Sequence, residues 1–320
     1  MKISIALTTF NGEAYLQGQL DSYIAQERSP DELVVCDDSS SDKTILILEL
    51  FKKNAPFQVH LIKNKTNLGF TRNFEKALSA CTGDVIALSD QDDVWYPEKL
   101  SFVAKAFIDN SDKWLLVHDG ELVDENMVSY GATKRGQVVA GYGSDDYLCT
   151  GALTAFRKEL IQYALPIPNE IIGHDGWLHS IAKYMGKRMV LNQNLQQIRR
   201  HSKNTSAWVA SSVIPINRIT VAKDQFTSSP SDSYDDRLMY NSCLNERLEV
   251  ASLHEHDEVT VHAISAGLKH LSGERKAINS RAQLISLGFI NRKATALRML
   301  VSGEYGYFNG VKSFLRDFFR

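Results

Sequence analysis

The chain opens with a short apolar run, Lys2-Ile-Ser-Ile-Ala-Leu-Thr-Thr9, that ends in two threonines and then Asn11-Gly12. This is the pattern of a buried strand stopping at a turn. Leu16, Leu20, Tyr23 and Ile24 follow at helical spacing and predict a helix over 13–26, closed by Pro30. Glu32 to Cys36 repeats the strand pattern, and the polar run Asp37-Asp38-Ser39-Ser40-Ser41-Asp42 turns the chain and caps a helix over 43–53. The alternation continues with a strand over 58–63, a turn at Asn67-Leu68-Gly69, a helix over 72–81 and a strand over 84–89.

Strands alternating with helices of this length predict βαβ units and a parallel sheet with helices on both faces. Ligands of such sheets sit beyond the carboxyl ends of the strands. Three strands end in polar clusters, Thr8-Thr9, Asp37-Asp38 and Asp90 to Asp93, so the fold gathers these clusters on one rim.

After Pro97 the pattern loosens. A helix over 98–109 leads to a strand over 114–118 and a Gly-rich stretch as far as Asp146. Residues 151–157 read as extended, 174–185 as a helix and 187–191 as a strand. From about 211 the character changes: 223–237 is rich in Ser and Asp and reads as a loop, and the remainder as mostly helical. The expected organisation is one α/β domain over 1–205 and a mostly helical region over 206–320, with no internal repeat.

Composition narrows the classes. The 36 Lys and Arg against 38 Asp and Glu give a net charge of −2, so no nucleic-acid partner is expected. No apolar run reaches the roughly 20 residues that span a bilayer. The first ten residues leave no room for a signal peptide before Asn11-Gly12-Glu13. Cys36, Cys81, Cys149 and Cys243 are widely spaced without CxxC pairs, which reads as free thiols of a cytoplasmic protein.

Chemistry concentrates at Asp90-Gln91-Asp92-Asp93, where an apolar strand ends and Val94-Trp95-Tyr96-Pro97 follows. Carboxylates converging at a strand end repel one another unless a cation offsets the charge. A hard divalent ion, Mg²⁺ or Mn²⁺, suits such oxygen ligands and takes one or two carboxylates plus diphosphate oxygens. Asp90 and Asp92 alternate along an extended segment and point to one side; Asp93 faces away or caps the next turn. In isolation the run also reads as a solvated acidic turn with a helix cap, and here the apolar strand, Trp95 and Pro97 pin it.

Five motifs then occur in order: Thr8-Thr9-Phe10-Asn11, Val35-Cys36-Asp37-Asp38 with Ser39 to Thr44, Asn67-Leu68-Gly69-Phe70-Thr71-Arg72-Asn73, Ser89-Asp90-Gln91-Asp92-Asp93-Val94-Trp95, and Arg199-Arg200-His201-Ser202-Lys203-Asn204. Over roughly 1–205 the chain thereby resembles the family-2 glycosyltransferases of the GT-A fold, particularly the bacterial rhamnosyltransferase-like group. The resemblance implies a Rossmann-like, mostly parallel sheet flanked by helices, with a helical C-terminal extension. It implies an inverting transferase moving a sugar from dTDP-rhamnose or a UDP-hexose to a hydroxyl of a growing surface glycan such as O-antigen or capsule.

The same resemblance assigns roles. Thr8, Thr9, Phe10, Asn11, Asp37, Asp38, Arg72 and Asn73 would bind the nucleotide, with Asp38 accepting from the imide N–H that uracil and thymine share. Asp37 reads alternatively as a carboxylate holding turn amides, and Arg72 as a surface residue. Asp90, Asp92 and His201 would hold the metal; a protonated His201 would instead pair with phosphate. Asp175 would be the base that takes the acceptor proton, or a helix N-cap. Many members carry Glu-Asp here, and His174 replaces the Glu, so the base rests on Asp175 alone. Asp93, Asp119, Gly151, His174 and Trp177 would line the donor or acceptor sugar.

From Leu268 to Arg320 there are ten Lys or Arg and three acidic residues. Val311, Phe314, Leu315, Phe318 and Phe319 share one helical face, with Lys312, Arg316 and Arg320 opposite. Such a helix suits an anionic membrane surface, hence a lipid-linked acceptor at the inner face of the cytoplasmic membrane; the alternatives are packing on the catalytic domain or on a second subunit. Two other classes remain open at this point. A two-carboxylate glycoside hydrolase with Asp92 and Asp175 leaves Asp37-Asp38 and Arg199-Arg200-His201 without a purpose. A receiver-like signalling module occupies about a third of this length.

Overall fold

The protein is described from a computed structural model that covers residues 1–201, 212, 214–221, 232–284 and 286–319. It forms two compact units, Met1–Lys183 with Lys187–Thr227, and Ser228–Arg320 with Tyr184–Gly186.

Among the described residues of the first unit, nine strands form one sheet of order β3-β2-β1-β4-β8-β6-β9-β5, with β7 paired to β6. β1 (Ile3–Thr9), β2 (Glu32–Asp37), β3 (Gln58–Lys63) and β4 (Val85–Ser89) pair in parallel, as the βαβ pattern predicts. β1 and β2 are buried along their whole length, which is why their sequences run apolar without alternating. Ile3, Ile5 and Leu7 share one core cluster with Leu16, Leu20 and Tyr23 of α1 (Leu16–Ile24) and Leu48 of α2 (Thr44–Asn54). On the other face of β1, Ser4 Oγ donates to Glu32 Oε1 (2.5 Å). The register pairs Thr8 with Cys36, Thr9 with Asp37 and Leu7 with Ser89. The three polar strand ends therefore stand abreast, as expected. α3 (Phe70–Ala80) and α4 (Lys99–Asp109) complete the alternation.

Beyond α4 the sheet becomes mixed. β8 (Thr154–Arg157) runs antiparallel to β4 and β6, β5 (Val94–Trp95) antiparallel to β9, and β6 parallel to β9 (Arg188–Arg199). Here the sequence was less legible. β6 does not stop at 118 but runs Leu115–Val123. Gly120 lets it pass, since a Cβ there would lie 2.7 Å from Ile198 Cδ1. The expected Gly-rich loop contains β7 (Ser129–Thr133) and α5 (Lys134–Tyr142), whose N-cap Thr133 accepts from the Gly136 amide (3.0 Å). Residues Gly151–Leu153 form a 3₁₀ turn rather than extended chain. β9 extends eight residues past the expected end at 191, because Asn192-Gln193-Asn194 reads as a turn in sequence yet pairs with β6 through a bulge. A short α6 (Ile161–Ala164) precedes α7 (His174–Tyr184).

The second unit holds α8 (Asp232–His254), α9 (Glu258–Leu284), α10 (Phe289–Val301) and α11 (Val311–Phe319). Residues 232–237, expected as loop, begin α8; the rest of that stretch and the expected boundary at 205 lie outside the described residues. Phe314 of α11 packs against a cluster of Leu284, Met299 and Tyr305, and Arg281 pairs with Asp317 (2.7 Å). Part of the apolar face of α11 thus serves its own unit, while Val311, Leu315 and Phe319 stay exposed. Among the described residues no helix is long and apolar enough to cross a membrane.

Ile5 sits on β1, between β2 and β4, with no exposed surface. We expect Ile5→Ala to cost about 2–5 kcal/mol, read as a lower urea midpoint at unchanged slope; a loss below about 1 kcal/mol would contradict this packing.

Candidate functional site

The rim is built by loops stitched to one another. Asn11, at φ +47°, donates its amide to Ser40 Oγ and accepts the Ser41 amide on Oδ1 (2.9 Å each). The Gly12 amide donates to Thr44 Oγ1 (2.8 Å). Gln91 clasps the Phe10 backbone in both directions, accepting its N–H (2.9 Å) and donating to its carbonyl (3.0 Å). A Cβ on Gly12 would lie 2.3 Å from Gln91 Oε1, so the clasp needs glycine there. The first strand end and the acidic run are thereby fixed together, with the Phe10 ring half exposed above them.

On the nucleotide side the structure sorts the expected residues. Asp37 accepts from Thr9 Oγ1 (2.7 Å) and from the Ser40 amide and hydroxyl (2.9 and 2.6 Å), which is its turn-holding alternative. Asp38 is buried and accepts from the Leu68 and Gly69 amides (2.8 and 2.9 Å) and from Asn64 Nδ2 (2.9 Å), so both of its oxygens hold the turn before α3. Asn73 is buried between the Cys36 carbonyl and Asn64 and acts as a brace rather than a ligand contact. Arg72 is engaged elsewhere: it donates to the Ile167 and Pro168 carbonyls (2.7 Å each) and pairs with Glu75. Thr8, a buried strand residue, and the exposed Phe10 remain at the strand end.

The acidic run separates into two parts. Asp93 is buried and accepts from Gln196 Nε2 (2.8 Å) and the Arg199 amide (3.1 Å), so it anchors β9 and does not line a sugar. Burial and the charges of Asp92 and Asp90 push its carboxyl well above the usual range. Asp92 and Asp90 are only partly buried. Asp92 Oδ2 lies 2.9 Å from His201 Nε2, and His201 stacks on Tyr15 at 4.6 Å. Burial, then the charges of Asp92 and Asp175, raise Asp90 to about 7. Among the described residues no group of three or more His, Cys, Asp or Glu is arranged to hold an ion, so Asp90, Asp92 and His201 are not preassembled as a complete ligand set. Two carboxylates and an imidazole are nevertheless the oxygen-rich donors that Mg²⁺ or Mn²⁺ accepts when diphosphate and water supply the rest. The repulsion felt at Asp90 is the charge such an ion would offset.

Facing them, Asp175 stands partly buried in the first turn of α7, and its Oδ1 accepts the Gly176 amide (2.8 Å). His174 is buried beside it, stacked on Phe74 (3.8 Å), with no hydrogen-bond partner for either ring nitrogen among the described residues. Burial lowers it to about 4, so the imidazole is neutral near pH 7. Gly151 packs against this pair; a Cβ there would lie 2.8 Å from His174 Nε2. Two expected sugar contacts are not available. Trp177 has no exposed surface and donates Nε1–H to the Ala164 carbonyl (2.8 Å), which makes it core. Asp119 is buried within β6, not at its end, where Oδ1 accepts the Gly120 and Arg135 amides (2.8 Å each).

Sequence reasoning missed two buried lysines near these carboxylates. Lys99 lies behind the acidic run, and Lys134, at the start of α5, is within electrostatic reach of Arg200 and Asp175. Burial first, and Arg200 second, lower Lys134 to about 7 against the pull of Asp175. Each begins a helix with ordinary polar neighbours, which in sequence reads as a solvated surface lysine.

Residues 4–161 match the model of glycosyl transferase family 2. Over 222 residues the chain is 29% identical to an uncharacterized glycosyltransferase of Nostoc sp., covering 66% of this chain and 68% of that protein. Over 261 residues it is 24% identical to the dTDP-rhamnosyl transferase RfbG of Shigella flexneri, covering 76% of this chain and 88% of that one. Residues 1–349 of S. aureus TarS, solved with UDP-GlcNAc, share the fold at a TM-score of 0.57 and 19% identity, covering 99% of this chain and 81% of that chain.

The raised carboxyl of Asp90 has a definite sign. Between the ordinary carboxylate value near 4 and about 7, the folded state binds the proton more tightly than the unfolded chain. Its contribution to stability therefore falls as pH rises through that window. In EDTA, Asp90→Asn is expected to raise Tm more at about pH 7.5 than at about pH 5. An equal or smaller gain at the higher pH would contradict the crowding of Asp90, Asp92 and Asp175.

Proposed function

The chain belongs to glycosyl transferase family 2 and is a glycosyltransferase, and from that premise we propose an inverting transfer from dTDP-rhamnose or a UDP-hexose to a glycan hydroxyl. Membership of the family sets aside the hydrolase and receiver-module readings. The observation that carries the proposal is the placement of Asp90 and Asp92 on the same edge as Asp175, close enough that their charges act on one another.

In this mechanism the nucleotide lies over the ends of β1 and β2, with its base against the exposed Phe10 ring and Thr8. Its diphosphate meets the acidic run. Asp92, Asp90 and His201 would hold Mg²⁺ or Mn²⁺, which supplies charge neutralisation for the leaving diphosphate. Asp175 accepts the proton of the acceptor hydroxyl as that oxygen attacks the anomeric carbon from the face opposite the diphosphate. The bond from that carbon to the diphosphate oxygen breaks, and its electron pair leaves with the nucleoside diphosphate. The neutral His174 beside Asp175 leaves this proton transfer to a single carboxylate.

The relative from Shigella, a dTDP-rhamnosyl transferase by name, supports a deoxyhexose donor. The acceptor is a growing surface glycan of the O-antigen or capsule kind, carried on a lipid. The exposed Val311, Leu315 and Phe319 beside Lys312 and Arg316 would then touch the inner face of the cytoplasmic membrane.

Thermal shifts with UDP or dTDP, with and without Mn²⁺, test the site. Stabilisation by at least one nucleotide is expected to depend on the metal, and Asp92→Ala to lose the Mn²⁺ response. Asp175→Asn is expected to keep that response while donor turnover falls by about 10²–10⁴-fold. No metal-dependent stabilisation by either nucleotide, or full turnover in Asp175→Asn, would refute the proposal.

A further inference from the structure

Lys99 has no task in the mechanism above, yet it is 1% exposed. Its Nζ donates to Gln196 Oε1 (2.5 Å) and to the Ala152 carbonyl (3.2 Å), and stands 3.7 Å over the Trp95 ring. Gln196 carries the connection onward, since its Nε2 donates to Asp93 Oδ2 (2.8 Å). An unbroken hydrogen-bonded path therefore runs Ala152–Lys99–Gln196–Asp93. One end is the acidic run. The other adjoins Gly151, against which His174 packs closely enough that a Cβ would clash, while the Asp175 Cβ would lie in ordinary contact at 3.7 Å.

Burying a lysine amine is costly, and a methionine of similar length would fill the space without that cost. The cost is offset by partners on three elements at once, β5, β9 and the turn before β8. We propose that Lys99 is a positioning residue that fixes the spacing between the acidic run and the Gly151–Ala152 turn. Through these it sets the distance from the donor diphosphate to the acceptor oxygen at Asp175. The inference rests on the proposed placing of donor and base.

The test uses the full chain as Lys99→Met, Gln196→Met and the double variant, compared with the wild type. The readouts are the thermal midpoint, the Mn²⁺-dependent shift with dTDP and UDP, and kcat and KM for whichever UDP-, dTDP- or GDP-sugar the wild type hydrolyses best. Each single variant is expected to keep the nucleotide shift and donor KM within about threefold, while kcat falls about 10- to 100-fold from misplacement. The double variant is expected to lose no more than about twofold beyond the worse single, because the path breaks only once. A lower midpoint with kcat within about twofold of wild type would mean a merely structural lysine and overturn the inference. So would multiplied losses in the double variant, or loss of the nucleotide shift. Gln196→Met carries the test if Lys99→Met does not fold. A wild type that turns over no donor defeats the transferase proposal itself, and this inference with it.

Discussion

Asp90, Asp92 and Asp93 leave the end of β4 within four residues of one another, and the first unit gives each a different electrostatic setting. Asp93 is drawn inward to Gln196 and the Arg199 amide, where burial holds its carboxyl well above the usual range. Asp92 meets His201. Asp90 keeps its charge only at a cost, because burial, Asp92 and Asp175 all oppose ionisation. A single cation placed among these groups would relieve more repulsion than any rearrangement of side chains. A divalent cation is the group that would offset this charge, and it would leave positions open for phosphate oxygens.

Such a site works only if the carboxylates cannot drift apart to relieve the repulsion themselves. The rim is tied accordingly. Gln91, inside the run, grips the Phe10 backbone; Asn11 and Gly12 are held by Ser40, Ser41 and Thr44; Asp37 and Asp38 spend their oxygens on turns. The polar clusters of β1 and β2 thus serve mostly to keep a rigid edge. Groups already satisfied by backbone amides have less to offer a ligand, so in the proposed mechanism recognition of a base would fall to what remains exposed at the strand ends, above all the Phe10 ring.

The first half of the fold was readable because every signal there is local. β1 to β4 are uninterrupted apolar runs, their ends are marked by polar turns, and α1 to α4 carry a clear helical period. The rim followed from topology alone. The second half depends on pairings across the sheet. β9 is polar along most of its length and is a strand because β6 and β5 flank it. α5 carries two glycines, Gly136 and Gly141, and only the Thr133 cap and its neighbours make it a helix. The same distinction governs the site residues. Asp90, Asp92, Asp175 and His201 are named by motif and spacing. Whether Asp119, Trp177, Arg72 or Asn73 faces a ligand depends on which neighbour takes its polar atoms, and no single sequence records that. The buried lysines were hidden for the converse reason, since burial of a charged side chain is decided by partners distant in the chain.

The exchange at position 174 shows how the parts constrain one another. A carboxylate beside Asp175, as in the Glu-Asp pair of the resembled family, would add a second negative charge to an edge where Asp90 is already hard to ionise. It would also set two like charges side by side in the first turn of α7. A buried, neutral imidazole does neither. It packs against Phe74 and Gly151 as a flat, uncharged plate and leaves Asp175 the one carboxylate in the first turn of α7.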